Sequence, residues 1–206
     1  MKDIIILVAD GYQEKLMEGF LPRVPNSSGT SEFDYDIYKH PEHDSGCFNN
    51  SHEFLRPFLN QYHYAIVIFD FEGCGQEAEM TRGKIEQVVE GHLQKNGWNN
   101  RNLAIVINPE IENWIWIDSP HVHNAINWND AQSLYAWCRQ SGLIVPGDLK
   151  PSRPKETFLR ALRKSQTSTS SSIYKKISSK VTYKNCQDPA FQKLLNKLLE
   201  WFSNEN

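Results

Sequence analysis

Three stretches of the chain are apolar without a break, and each runs into acid. Ile4-Ile-Ile-Leu-Val-Ala9 precedes Asp10, Gly11 and Glu14; Tyr64-Ala-Ile-Val-Ile-Phe69 precedes Asp70 and Glu72; Leu103-Ala-Ile-Val-Ile107 precedes Asn108, Pro109, Glu110 and Glu112. Unbroken apolar runs of this length are the pattern of strands buried on both faces, as in a parallel sheet covered by helices. Residues 33–38 alternate instead, Phe-Asp-Tyr-Asp-Ile-Tyr, which suits a half-buried edge strand whose direction the pattern leaves open.

Helical spacing fills the intervals. It predicts helices over residues 11–20, with Leu16 and Phe20 one turn apart and Pro22 and Pro25 beyond, and over 51–60, capped by Ser51 and disturbed at Pro57. A long amphipathic helix is expected over 76–95, with Met80, Ile85, Val88, Val89 and His92 on the sheet and Glu77, Glu79, Glu86 and Glu90 in water. Further helices are expected over 110–118, over 129–141 with Gly142 as the stop, over 155–164 just after Pro154, and over 172–180. Asp188, before Pro189, caps a last one with Phe191, Leu194, Leu195, Leu198, Leu199 and Phe202 inward. Residues 26–30, 41–50 and 146–154 read as loops, and the Ser/Thr-rich 165–172 as a mobile one. Trp114, Trp116, Trp128 and Trp137 read as a tryptophan-lined satellite core rather than a base-stacking platform.

The expected fold is therefore α/β: a four- to five-stranded, mainly parallel, Rossmann-like sheet flanked by helices. Residues 1–149 form the α/β domain with its tryptophan-rich helical insertion, and 150–206 a helical extension packed on it. Charge sharpens this division. The net charge of −3 over 206 residues divides into 10 Lys plus Arg against 21 Asp plus Glu in residues 1–149, net −11, and 12 against 4 in residues 150–206, net +8. A basic extension can dock on an acidic partner, shield its own chain's acids, or meet nucleic acid phosphates.

Other features narrow the class. No run of about 18 apolar residues exists to span a membrane, and the opening apolar run meets Asp10 too early for a signal peptide. Cys47, Cys74, Cys138 and Cys186 form no CxxC pair and read as free thiols of a reducing, cytoplasmic compartment. His40, His43, Cys47 and His52 have no zinc-ligand spacing and read as a polar loop. A P-loop and a GxGxxG are both missing, which argues against nucleotide binding by those routes.

If the three acid-tipped strands run parallel, their carboxylates gather at the C-terminal edge of the sheet, where open α/β sheets bind ligands. Oxygen donors without His or Cys suit a hard cation such as Mg²⁺ or Mn²⁺. The same acids at helix starts also serve as caps that need no metal.

The order Asp10-Gly-x-x-Glu14, Asp70-x-Glu72-Gly73, Glu112-x-Trp114-x-x-x-Asp118, Arg153-Pro-Lys-Glu156 and Asp188-Pro-x-Phe191 resembles a Toprim-like family of uncharacterised bacterial proteins associated with ATPases and phage-defence operons. The resemblance spans nearly the whole chain. It implies a metal site at Asp10, Asp70, Glu72 and Glu112, with Glu14 as a second acid after strand one and Asp118 beyond Glu112. Lys155 is a candidate phosphate contact. Asp10 stands where that family usually has Glu, and Glu72 where Asp is commoner. The function so implied is a divalent-metal-dependent nuclease or nucleic-acid-processing component of anti-phage defence, acting on DNA or RNA with operon-encoded partners such as an ATPase. The alternative is a non-catalytic assembly or sensor subunit of a multi-protein defence complex.

Overall fold

The computed structural model describes residues 1–184 and 186–203. Four strands, β1 (Lys2–Val8), β2 (Tyr35–Lys39), β3 (Tyr62–Asp70) and β4 (Asn102–Ile107), form one sheet in the order β2-β1-β3-β4, every neighbouring pair parallel. The direction that alternation left open for β2 is thus fixed. Alternate residues of the inner strands go to opposite layers. Ile4, Ile6, Val8, Ile66, Ile68, Leu103, Ile105 and Ile107 join one core; Ile5, Leu7, Ala9, Ala65, Val67, Phe69, Ala104 and Val106 join the other. Helices cover both faces, so neither layer can be polar, which is why the strands read as unbroken apolar runs.

The helices are α1 (Gly11–Phe20), α2 (Val24–Ser28), α3 (His43–Leu55), α4 (Arg82–Lys95), α5 (Pro120–Ala125), α6 (Leu134–Gln140), α7 (Pro154–Lys164), α8 (Ser171–Ser178) and α9 (Pro189–Phe202). α3 and α4 cover one face. The other is covered by α1 together with the tryptophan-bearing segment and α7 to α9, whose Phe158, Leu162, Ile173, Ile177, Phe191, Leu194 and Leu198 enter the same core cluster as β1. Trp114, Trp116 and Trp128 are buried in this same main core rather than in the separate satellite core expected, and Trp137 packs against it only partly buried. No helix among the described residues is long and apolar enough to cross a membrane.

Several boundaries differ from the pattern-based expectation. α3 starts eight residues early because Cys47, Phe48 and Leu55 bury against the sheet and override turn-forming neighbours such as Gly46 and Asn50. Ser51 is consequently a buried mid-helix residue, not a cap. α4 starts only at Arg82, since Gln76–Met80 forms a turn in which the Glu77 carboxylate accepts the Gly73 and Gly75 backbone N–H groups. The expected helix over 110–118 is a single 3₁₀ turn, Ile111–Trp114, and the one over 129–141 is confined to α6. Gly142 stops α6 in the left-handed region, at φ 68°. Thr167, in the Ser/Thr-rich stretch, donates its hydroxyl to the Ile126 carbonyl at 2.7 Å.

Two glutamates expected in water are not there. Glu86 accepts the Val106 N–H and Glu90 the Ala104 N–H, each at 3.1 Å, while Lys193 Nζ donates to the Ala104 carbonyl at 2.9 Å. Lys193 also pairs with both carboxylates, at 3.1 and 2.7 Å. The outer side of β4 is thus hydrogen-bonded by side chains of α4 and α9.

α1 and α8 touch where Gly19 has no side chain. A Cβ there would lie 2.1 Å from Ser178 Oγ and 2.7 Å from the Lys175 carbonyl oxygen. The hydroxyl can rotate away but the carbonyl cannot. Gly19→Ala is expected to lose about 1–2 kcal/mol despite alanine's better helix propensity, read as a melting temperature lowered by roughly 2–8 °C.

Candidate functional site

β1 is flanked by β2 on one side and β3 on the other, so the strand order reverses beside it, and the crevice beyond the strand ends there is where such sheets place ligands. Asp10 follows β1 and Asp70 ends β3. One side chain ties the two strand ends together: the buried Gln13 accepts the Ala9 N–H at 2.9 Å and donates Nε2 to Asp70 Oδ1 at 2.9 Å. Asp10 caps α1, its Oδ1 accepting the Tyr12 and Gln13 N–H groups at 2.9 Å.

A carboxylate not singled out in the sequence joins them. Asp44, in the first turn of α3, accepts the Asp70 N–H at 2.8 Å through Oδ1. It is set in place by His43, which adopts the left-handed region at φ 53° and brings its ring Nδ1 within 3.2 Å of the Ala9 carbonyl. Nothing in the sequence distinguished Asp44 from a loop acid, because the apolar spacing of α3 is broken by Ser45, Gly46, Asn49 and Asn50.

The fourth acid arrives from the 3₁₀ turn. Glu112 is only 2% exposed; its Oε1 accepts the Tyr174 hydroxyl of α8 at 2.5 Å, and its Oε2 is buried without a partner. Beside it, Glu110 accepts the Lys155 N–H through Oε1 at 3.0 Å, and Lys155 Nζ lies 3.5 Å from Glu110 Oε2. The amide and ammonium of α7's first turn are thus both held against Glu110.

The electrostatics reflect this gathering. Burial pushes the Asp70 carboxyl well above the usual range, the charges of Asp44, Glu112 and Asp10 push it further, and the Ile111 N–H opposes them. Asp44 is raised by burial and by Asp10, against the Asp70 N–H and Lys155. Glu112 is raised by burial and by Glu110, against the Tyr174 hydroxyl and Lys155. Lys155 is raised because Glu112, Glu110 and Asp70 together outweigh its own partial burial. Asp44, Asp70, Glu110 and Glu112, from α3, β3 and the 3₁₀ turn, therefore all act by charge on one lysine.

Other expected site residues lie elsewhere. Glu14, one turn into α1, is tied to Lys39 of β2 at 3.1 Å, on the side of β1 away from β3, and is removed from the cluster. Glu72 is exposed on the rim, fixed through its backbone N–H to the Pro109 carbonyl at 3.0 Å, and acts on Glu110 by charge alone. Asp118 is exposed past the 3₁₀ turn.

The donor chemistry suits a hard divalent cation: all oxygen, with one carboxylate oxygen buried and unpartnered. As the side chains stand, however, no three His, Cys, Asp or Glu among the described residues converge to hold one. Asp10 Oδ1, Asp70 Oδ1 and Glu112 Oε1 are each committed to a protein donor. Binding would draw on their second oxygens and a turn of the Asp10 and Glu112 side chains. No family model matches the chain, and no match was found among the curated proteins or the solved structures.

Proposed function

We propose that the carboxylate rim binds Mg²⁺ or Mn²⁺ and engages phosphate oxygens of a nucleic acid, making the chain a divalent-metal-dependent nuclease or nucleic-acid-processing component of a bacterial anti-phage defence system. The observation that carries this reading is the buried, unpartnered Oε2 of Glu112 within reach of the charge of Asp70, itself raised by three neighbouring acids. Such a surplus of negative charge out of water is costly to the folded protein unless a cation compensates it. A bound divalent ion would supply an activated water and stabilise a leaving oxygen in phosphodiester cleavage.

The chain's own groups have separable parts. Asp70, Glu112 and Asp10 hold the ion, with Asp44 adding charge; Gln13 and Tyr174 orient Asp70 and Glu112. Glu110 holds Lys155 where it can meet a phosphate oxygen. The basic residues beyond position 150 meet the nucleic acid backbone. In this reading the Toprim-like resemblance and an operon-encoded ATPase partner both belong to the proposal.

A second reading, a non-catalytic assembly or sensor subunit, is favoured by Asp10 serving as a cap and by Lys155 being paired with Glu110. Mn²⁺ titration calorimetry on the wild type and Asp70→Ala, with cleavage assays on single-stranded DNA, duplex DNA and RNA, separates the two. The expected result is one saturable heat, lost in the variant, with cleavage that follows it. Absence of both metal heat and cleavage would remove the nuclease reading for this chain.

A further inference from the structure

Asn113, next to Glu112 on the 3₁₀ turn, lines a pocket of about 680 Å³. That is the size of small-molecule sites, which hold a ligand by apolar walls and a few fixed polar groups. The walls here are Trp116, Ile117, Tyr135 and Leu149. Trp116 is immobilised by its Nε1 donating to the Pro154 carbonyl at 2.9 Å, and Leu149 stands 78% exposed at the mouth.

The polar groups select what enters. Asp118 and Asp148 line the pocket, are exposed, and have no side-chain hydrogen-bond or ion-pair partner among the described residues. Asp118 and Tyr135 both line the pocket, and the Asp118 charge acts on the Tyr135 hydroxyl. Asp188 also lines the pocket, but both its oxygens are used within the protein. Lys150 reaches in with Nζ donating to the Asn113 carbonyl at 2.6 Å, and the exposed Gln187 contributes an amide.

A lipid tail would leave two carboxylates against hydrocarbon, and a free phosphate would meet their repulsion. A flat heteroaromatic ring with amino donors on its edge satisfies both walls and acids. We propose that this pocket takes a nucleobase bearing an exocyclic amino group, its faces between Tyr135 and Leu149 and its amino group donated to Asp118. A carboxylate accepting from cytosine N4 is an established pairing, and an unstacked base read by an apolar pocket is how proteins hold single bases. This inference rests on and deepens the proposed function, whose nucleic acid would lodge one base here while Lys155, held by Glu110 at the neighbouring rim, meets a phosphate oxygen.

The test is titration of the full chain with cytidine and with uridine, in EDTA, by calorimetry and intrinsic tryptophan fluorescence. Cytidine is expected to saturate at about 0.1–10 mM, as befits a ligand of its size, and uridine to bind about fivefold more weakly or worse. Asp118→Asn should erase the preference and Leu149→Asp should weaken both nucleosides. Both positions are exposed, so circular dichroism should be unchanged. Failure of cytidine to saturate, equal affinities for the two, or full affinity in Leu149→Asp would each overturn the proposal. Because EDTA excludes metal, nucleoside binding without any Mn²⁺ heat would sink the cation reading alone, and the reverse result would sink the base pocket alone.

Discussion

Asp188→Ala is expected to destabilise the protein by about 2–4 kcal/mol, seen as a lower urea midpoint at unchanged m-value. Asp188 Oδ1 accepts the Ala190 and Phe191 N–H groups at the start of α9 and the indole N–H of Trp114, all at 3.0 Å. Its Oδ2 accepts Nδ2 of Asn113 at 2.7 Å. The cap alone is worth about 1 kcal/mol. The larger part comes from Trp114, which is fully buried against Phe191 and would keep an indole N–H with no acceptor, at about 1–3 kcal/mol. Asp188→Asn keeps an acceptor oxygen and should lose about 1 kcal/mol. Equal losses in the two variants would mean that the carboxylate's charge, not its geometry, ties α9 to the 3₁₀ turn.

The second large effect concerns pH. Asp70, Asp44 and Glu112 all have carboxyls raised in the folded protein. Between the unfolded value, near ~4, and the raised folded values, the folded state binds more protons than the unfolded one. Stability from these groups is therefore fully present below pH ~4 and lost as pH rises through the folded values. Asp36 and Glu18 act in the opposite sense: they are lowered chiefly by hydrogen bonds from Lys2 and Lys15, so their contribution is lost as pH falls. In EDTA, Asp70→Asn should be more stable than the wild type at pH 8, by on the order of 2 kcal/mol, and the gap should close towards pH 4. Mn²⁺ should stabilise the wild type at pH 8 and leave the variant unmoved. Melting curves across pH 4–9 measure both. Parallel profiles for the two proteins would show that Asp70 ionises without penalty in the fold.

The sheet was legible because its inner strands are buried on both sides, and burial of that kind leaves unbroken apolar runs, here each five or six residues long and ending at an acid or a turn. Asp10 and Asp70 were legible for the same reason, as the first acids past their runs, whereas the third run delivers Glu110 before Glu112 and only the motif resemblance singled out the latter. Asp44 was not, because α3 buries only one narrow stripe and its solvent side is written in turn-forming residues. Glu14 was misplaced since spacing along the sequence does not reveal that Lys39 of the neighbouring strand lies within its reach. Gln13 and Tyr174 gave no signal at all: a glutamine in the first turn of a helix meets Asp70 only once β1 and β3 pair, and a tyrosine on α8 meets Glu112 only once that helix packs on the sheet. Glu86 and Glu90 were read as water-facing because period alone cannot tell a helix's outer face from a flank that reaches a strand.

That flank has a bearing on assembly. Strand addition by another molecule requires free N–H and C=O groups along an open margin. On β4 the Ala104 and Val106 amides and the Ala104 carbonyl are already occupied by Glu90, Glu86 and Lys193. A second polypeptide, whether a sister molecule or an extended peptide, cannot prolong the array there without evicting three ionic side chains. Any complex formed on that flank must be held by side-chain contacts with α4 and α9.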